Sequence, residues 1–138
     1  LAGDDIYSIA CDAKNRIWAG TDGGINICSM PEKGKKQVLR LSTGDGLPDE
    51  IITSLLADKR GNIWIANCGN DSVTIYPNGD PNRARNLHGR SLGLDKPFDV
   101  AIDGRGRAWV TGNDSENVAI IDGDRIRQVG GTGTPAGG

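Results

Sequence analysis

The sequence predicts an all-β protein made of three copies of one four-stranded antiparallel unit, and three observations predict it. Asp12, Asp58 and Asp103 each stand six residues before a tryptophan, Trp18, Trp64 and Trp109, and the Asp-to-Trp unit recurs at steps of 46 and 45 residues. Around each unit lie four short strand-like runs separated by turn residues. Glycine takes 21 of the 138 positions while apolar residues reach only 36% and aromatics 4%, which suits short strands with tight turns and argues against a helical bundle. A repeat of this length with four strands per unit is the sequence sign of a β-propeller, each unit being one blade.

Within each unit the first strand is expected at 7–11, 52–57 and 98–102. Each runs into a turn of the form Asp-x-x-Asn or Asp-x-x-Gly. Aspartate bonds the backbone two residues on, and Asn or Gly tolerates positive φ, so the turn closes a hairpin. The return strands, 16–20, 62–66 and 107–111, carry the tryptophans. Third strands follow at 25–28, 73–76 and 118–121, and more polar fourth strands at 37–41, 83–87 and 125–129. Falling hydrophobicity from first to fourth places the first strand near the central axis and the last in solvent. Blades are expected at about 4–43, 49–90 and 97–130, with 131–138 a linker toward a further blade. A blade exposes two faces that only its neighbours cover, so the recurring tryptophan reads as a wedge between blades. The recurring aspartate reads as a turn former, because active sites in repeat folds usually break the pattern.

A net charge of −2 gives no reason to expect nucleic acid as a partner. Lys33, Lys35, Lys36 and Arg40 surround the turn into a last strand, where lysines commonly block sheet-to-sheet aggregation. Three cysteines, Cys11, Cys28 and Cys68, cannot all pair within the chain, and they lack zinc-site spacing. No apolar run approaches the roughly 20 residues of a membrane helix.

The second unit carries Gly46-Leu47-Pro48, then Ile52, Ser54-Leu55, Asp58, and Gly61-Asn62-Ile63-Trp64. This resembles the repeat of the two-component regulator propellers, the sensor portions of hybrid histidine kinases. The first unit is similar in Ile17-Trp18-Ala19-Gly20-Thr21-Asp22-Gly23-Gly24-Ile25. The resemblance implies a periplasmic or extracellular domain that senses a ligand or contacts protein without catalysis. The third unit, with Pro97-Phe98-Asp99-Val100-Ala101-Ile102-Asp103, Trp109-Val110 and Asn117-Val118, is similar to the NHL and virginiamycin B lyase group. That resemblance implies a metal-dependent lyase or lactonase, with a histidine and glutamates around a divalent cation. His88 is the only histidine, it sits at an outer strand, and there is no His-x-Glu pair. The catalytic set therefore does not carry over, no catalytic residue is assigned, and an enzyme of this type would need catalytic residues mostly outside this chain.

Propellers commonly bind ligands at one mouth of the channel, here built by loops 21–24, 44–49, 67–72, 92–96 and 112–117. Asp49 and Glu50 lie at the start of a first strand and Asp22 in a mouth loop. Asp99 occupies the aligned position held by Ser8 and Ser54. These four are the candidate ligand-binding residues, and their charge favours a cationic ligand or a metal. The tetrapeptide Gly-Asn-Asp-Ser occurs at 69–72 and 112–115. Asn70, Asp71, Asn113, Asp114 and Glu116 thus form an oxygen-rich candidate for calcium, with ordinary turn chemistry as the competing explanation.

Known propellers close with about four to eight blades. Three blades are therefore part of a larger ring completed by further blades of a longer parent chain, or half of a six-bladed ring completed by a second copy. A start at Leu1 and a glycine-rich stretch at 129–138 are what a piece of a longer chain would show. Three functions follow as expectations: a non-catalytic sensing or protein-binding module, part of a metal-dependent propeller enzyme, or a structural spacer in a large assembly.

Overall fold

The computed structural model describes residues 5–29, 34, 37–42, 52, 54–67, 71–88, 93, 96–112, 117–123 and 125–129. Twelve strands lie in these residues. The first four are β1 (Ile6–Cys11), β2 (Ile17–Thr21), β3 (Gly24–Ser29) and β4 (Gln37–Leu41). The next four are β5 (Ser54–Ala57), β6 (Ile63–Asn67), β7 (Ser72–Tyr76) and β8 (Arg85–His88). The last four are β9 (Pro97–Ile102), β10 (Ala108–Gly112), β11 (Val118–Asp122) and β12 (Arg125–Val129). Each quartet forms its own antiparallel sheet in simple meander order, so the three sheets are three propeller blades. The first strands lie together, β1 beside β5 and β5 beside β9. A 3-10 turn, Pro77–Gly79, follows β7. It differs from a plain loop because Pro77 presets φ and Asn78 takes the left-handed value of 55°.

Register decides which face each side chain meets. Ala10, Trp18, Ile27 and Leu39 stand directly opposite one another across blade 1 and share one face. That face packs on the second blade: Trp18, Ile25, Ile27 and Leu41 form a core with Leu55, Ile63, Ile65 and Tyr76. The Trp18 and Tyr76 rings meet at 5.3 Å and 48°, a tilted arrangement that ring quadrupoles favour. One step on, Trp64, Ala66, Val73 and Ile75 pack on Val100, Ala108, Val110, Ala119 and Ile121. Every blade thus has a forward face bearing the tryptophan and a mainly aliphatic rear face, to which blade 2 adds Tyr76, and the two interfaces repeat the same order.

The lead-in to blade 2 crosses blade 1 closely. Ile52 is fully buried and donates its backbone N–H to the Thr21 carbonyl at 3.0 Å. A Cβ at Gly20 would sit 2.6 Å from Ile52 Cγ2, so only glycine allows the approach. Gly24 is fixed for a second reason: at φ +114° its hydrogen faces the Leu41 carbonyl, with which a side chain would collide.

Among the described residues, two faces carry no neighbouring blade. On the rear of blade 1, Ile9 is 66%, Ile17 40% and Val38 43% exposed. On the forward face of blade 3, Trp109 is half-buried, whereas Trp18 is 0% and Trp64 7% exposed. Burial of the ring, not its presence, sets its contribution. Trp18→Ala is expected to lower unfolding free energy by about 3–5 kcal/mol and Trp109→Ala distinctly less, as read from urea midpoints. Equal losses at the two positions would contradict the wedge role.

Candidate functional site

Strands one and two of each blade are joined at what is here termed the hairpin end, opposite the mouth loops that join strands two and three. Each hairpin closes on its aspartate in the same way. The Asp12 N–H donates to the Arg16 carbonyl at 3.0 Å and the Asp12 carbonyl accepts the Asn15 N–H at 3.2 Å. Asn15, Gly61 and Gly106 supply the positive φ that a type I turn with a bulge requires. The carboxylate then takes four further hydrogen bonds. Asp12 Oδ1 accepts the Lys14 and Arg16 N–H groups, each at 2.9 Å, and Oδ2 accepts Arg16 Nε at 2.7 Å and the Trp18 indole at 2.8 Å. Asp58 and Asp103 repeat this, with indole bonds from Trp64 and Trp109 of 2.9 Å each. The aspartates are turn formers that also pin the tryptophans.

Their ionisation follows. Burial opposes charge on Asp12 and Asp58, but bonds from the indole, the backbone and the residue four positions on outweigh it, so both carboxyls lie below the ordinary range. For Asp103 the Trp109 indole is the largest influence and draws the carboxyl far down against a smaller cost of burial.

At the mouth, the structure brings Asp99 and Ser54 together. Ser8 Oγ accepts the Leu55 N–H at 3.0 Å, tying blade 1 to blade 2. Ser54 Oγ donates to Asp99 Oδ1 at 2.8 Å, and the same oxygen accepts the Val100 N–H at 2.9 Å. Asp99 therefore continues an inter-blade ladder while staying exposed. Asp71 Oδ1 accepts the Lys96 N–H at 2.6 Å, which links its loop to the segment entering blade 3. Asp22 is exposed beside a turn in which Thr21 Oγ1 accepts the Gly23 N–H at 3.0 Å. Asp49, Glu50, Asn70, Asn113, Asp114 and Glu116 lie outside the described residues. Among the described residues no three His, Cys, Asp or Glu side chains gather. His88 ends β8, the outermost strand of its sheet.

One departure from the repeat escaped the sequence reading although its signal was present. The fourth position after the aspartate is Arg16, Asn62 and Arg107 in turn. Arg16 lies 5.8 Å from the Trp18 ring centroid and reaches across to the Gly79 carbonyl of blade 2 at 2.6 Å. Asn62 is too short for this. Its amide turns back on its own blade, donating to Asp58 Oδ2 at 2.9 Å and accepting the Asn78 N–H at 3.0 Å. Between blades 2 and 3 the groove stays open, as a cleft of about 210 Å³ beside Asn62, Trp64, Arg85 and Gly123. It adjoins a lobe of about 220 Å³ under Lys59, Arg60 and Arg105.

This blade geometry defines a β-propeller segment, and comparisons with known proteins agree. The family model for the two component regulator propeller matches residues 1–23 and 46–69, which hold the Asp-to-Trp units of blades 1 and 2. Among solved structures, virginiamycin B lyase from Staphylococcus aureus is similar with 17% identity and a TM-score of 0.67, over 90% of this chain and 40% of that one. An extracellular domain described as belonging to a hybrid two component system of B. thetaiotaomicron gives 18% identity and a TM-score of 0.71, over 90% of this chain and 17% of that one. A streptogramin B lyase gives 15% and 0.71, over 94% and 41%. The chain thus spans less than half the length of each of these structures, and the likeness is one of fold. No curated protein sequence matches it. No helix of the described residues is long and apolar enough to cross a membrane.

Because the folded aspartates ionise below the unfolded value of about 3.9, their bonds contribute in full above about pH 5 and are lost as pH falls through the folded values. The melting temperature is expected to hold from pH 7 to about 5 and to drop steeply below about 4. Asp12→Asn turns an N–H toward the indole N–H and should cost about 1–3 kcal/mol while flattening the acid limb. An unchanged acid profile in Asp12→Asn would contradict this assignment.

Proposed function

We propose that this chain is part of a non-catalytic propeller module that senses a ligand or binds protein outside the cytoplasm, as a sensor portion of a two-component regulator. The observation that carries this reading is the regulator-propeller match on two successive repeats. The similarity to an extracellular two-component domain supports it. Trp109 and the bare rear face of blade 1 are covered, on this reading, by further blades, with 131–138 leading into one of them. The ligand site is the mouth of the channel, with Asp99, Asp49, Glu50 and Asp22 contributing negative charge. Asn70, Asp71, Asn113, Asp114 and Glu116 offer oxygen ligands to calcium there. Such a site selects a cationic group or a divalent metal.

The lyase structures favour a second reading, a segment of a metal-dependent propeller enzyme. His88 on the outermost strand does not help it, since a metal at the mouth would need its histidine from another blade.

Two measurements test the assignment. Incubated with divalent metal and quinupristin, the compound present in a structure of a catalytically inactive virginiamycin B lyase, and followed by mass spectrometry, the purified protein is expected to leave the compound intact; turnover would overturn the non-catalytic reading. Calcium added to the chelated protein is expected to raise its melting temperature, with a smaller rise in Asp71→Asn and Asp99→Asn. A melting temperature indifferent to calcium removes calcium from the mouth.

A further inference from the structure

The two ends of the segment differ in charge. Among the described residues, Lys14, Arg16, Lys59, Arg60, Arg105 and Arg107 lie at the hairpin end beside Asp12, Asp58 and Asp103, while Asp5, Asp22, Asp71 and Asp99 lie toward the mouth with Lys96. Two of these basic side chains are engaged by the hairpins themselves. Arg16 and Arg107 hold Asp12 and Asp103 at 2.7 Å each. Lys59, Arg60 and Arg105 do not: only the backbones of Arg60 and Arg105 bond the aspartates, and no described interaction engages the three side chains. Asp58 and Asp103 line the same lobe, yet each carboxylate already accepts four hydrogen bonds. The three cations are left facing a cleft without a partner anion.

The position of that cleft is set by Asn62. Between blades 1 and 2 the corresponding groove is spanned by the Arg16 guanidinium on the Gly79 carbonyl. Between blades 2 and 3 the described residues supply no such arm, and Arg60 lies beside the groove, its Nη2 4.0 Å from where a Cβ on Gly106 would stand. The two lobes, about 220 Å³ and about 210 Å³, share Asp58, Arg60 and Gly106. Both are smaller than the roughly 300 Å³ at which ordinary ligand pockets begin, so the occupant is small. Guanidinium forks match the paired oxygens of a phosphate or sulfate. Trp64, Ile75 and Ile121 give the second lobe an apolar wall for a compact organic body.

We propose that the cleft between the second and third blades at the hairpin end binds a small oxyanion ester, a phosphate or sulfate monoester, through Arg60, Arg105 and Lys59. This site is separate from the mouth of the channel and selects the opposite charge.

Calorimetric titration of the chain with inorganic phosphate, and separately with inorganic sulfate, at fixed ionic strength in chloride tests it. Saturable binding at one site per chain is expected. Saturation by phosphate alone assigns a phosphate ester, by sulfate alone a sulfate ester, and by both an oxyanion site that accepts either. Joint Arg60→Gln and Arg105→Gln replacement should weaken binding about tenfold or more, as loss of a charge-assisted hydrogen bond implies. Lys14→Gln, which removes one positive charge from the hairpin of blade 1, should leave it unaltered. Asn62→Arg should fill the groove as Arg16 does, abolishing binding without lowering the melting temperature. Absence of saturation with both anions, equal weakening by Lys14→Gln, or undiminished binding in a folded Asn62→Arg variant would each overturn the site.

Discussion

Each blade hangs on one carboxylate that shares its two oxygens among the hairpin backbone, a neighbouring side chain and the indole of the tryptophan six residues on. The bond to the indole, 2.8 Å in blade 1, couples a local decision to a distant one. Turn geometry fixes where the carboxylate stands, the carboxylate fixes the ring, and the ring fixes how the next blade approaches. A buried indole N–H without a partner costs about 1–3 kcal/mol, and the aspartate removes that cost while the ring body supplies apolar area. Apolar packing between blades is the larger contribution to stability, and the hydrogen bond decides its orientation.

Direction follows from this coupling. Tryptophan faces forward in each blade, so a blade offers an indole on its front and meets a mainly aliphatic rear face, to which blade 2 adds Tyr76. Two interfaces inside the chain obey the rule, and the half-buried Trp109, with exposed Val129 on the same face of the sheet, extends the rule to a face that no described blade covers. Serine and aspartate near the axis add a polar seam to the same order, Ser8 to blade 2 and Ser54 to blade 3.

Two departures from the repeat, Asp99 and Asn62, differ in kind. Asp99 was visible in an alignment of the three units because it replaces serine on an inner strand. Its partner was not visible, and the bond from Ser54 shows that part of its role is to join blades. Asn62 was equally visible in the sequence as the odd residue between Arg16 and Arg107. Its meaning required knowing that an arginine there spans to the next blade, since only then does an asparagine leave a cleft. The Asn-Asp-rich loops gave a calcium expectation from composition, but Asp71 is drawn to the Lys96 N–H, a contact 25 residues away that no local pattern foretells.

By itself the sequence determined the repeat, the number of blades, the hairpins and the identity of the wedge residues. These depend on local physics: turn residues at fixed offsets, alternating apolar positions and glycine where φ is positive. Tertiary structure alone decided which face of each blade the ring occupies, which carbonyl Arg16 reaches, and where the free cations gather. Those outcomes depend on the register and relative placement of separate sheets, so residues 45 or 63 positions apart become partners only once the blades have packed.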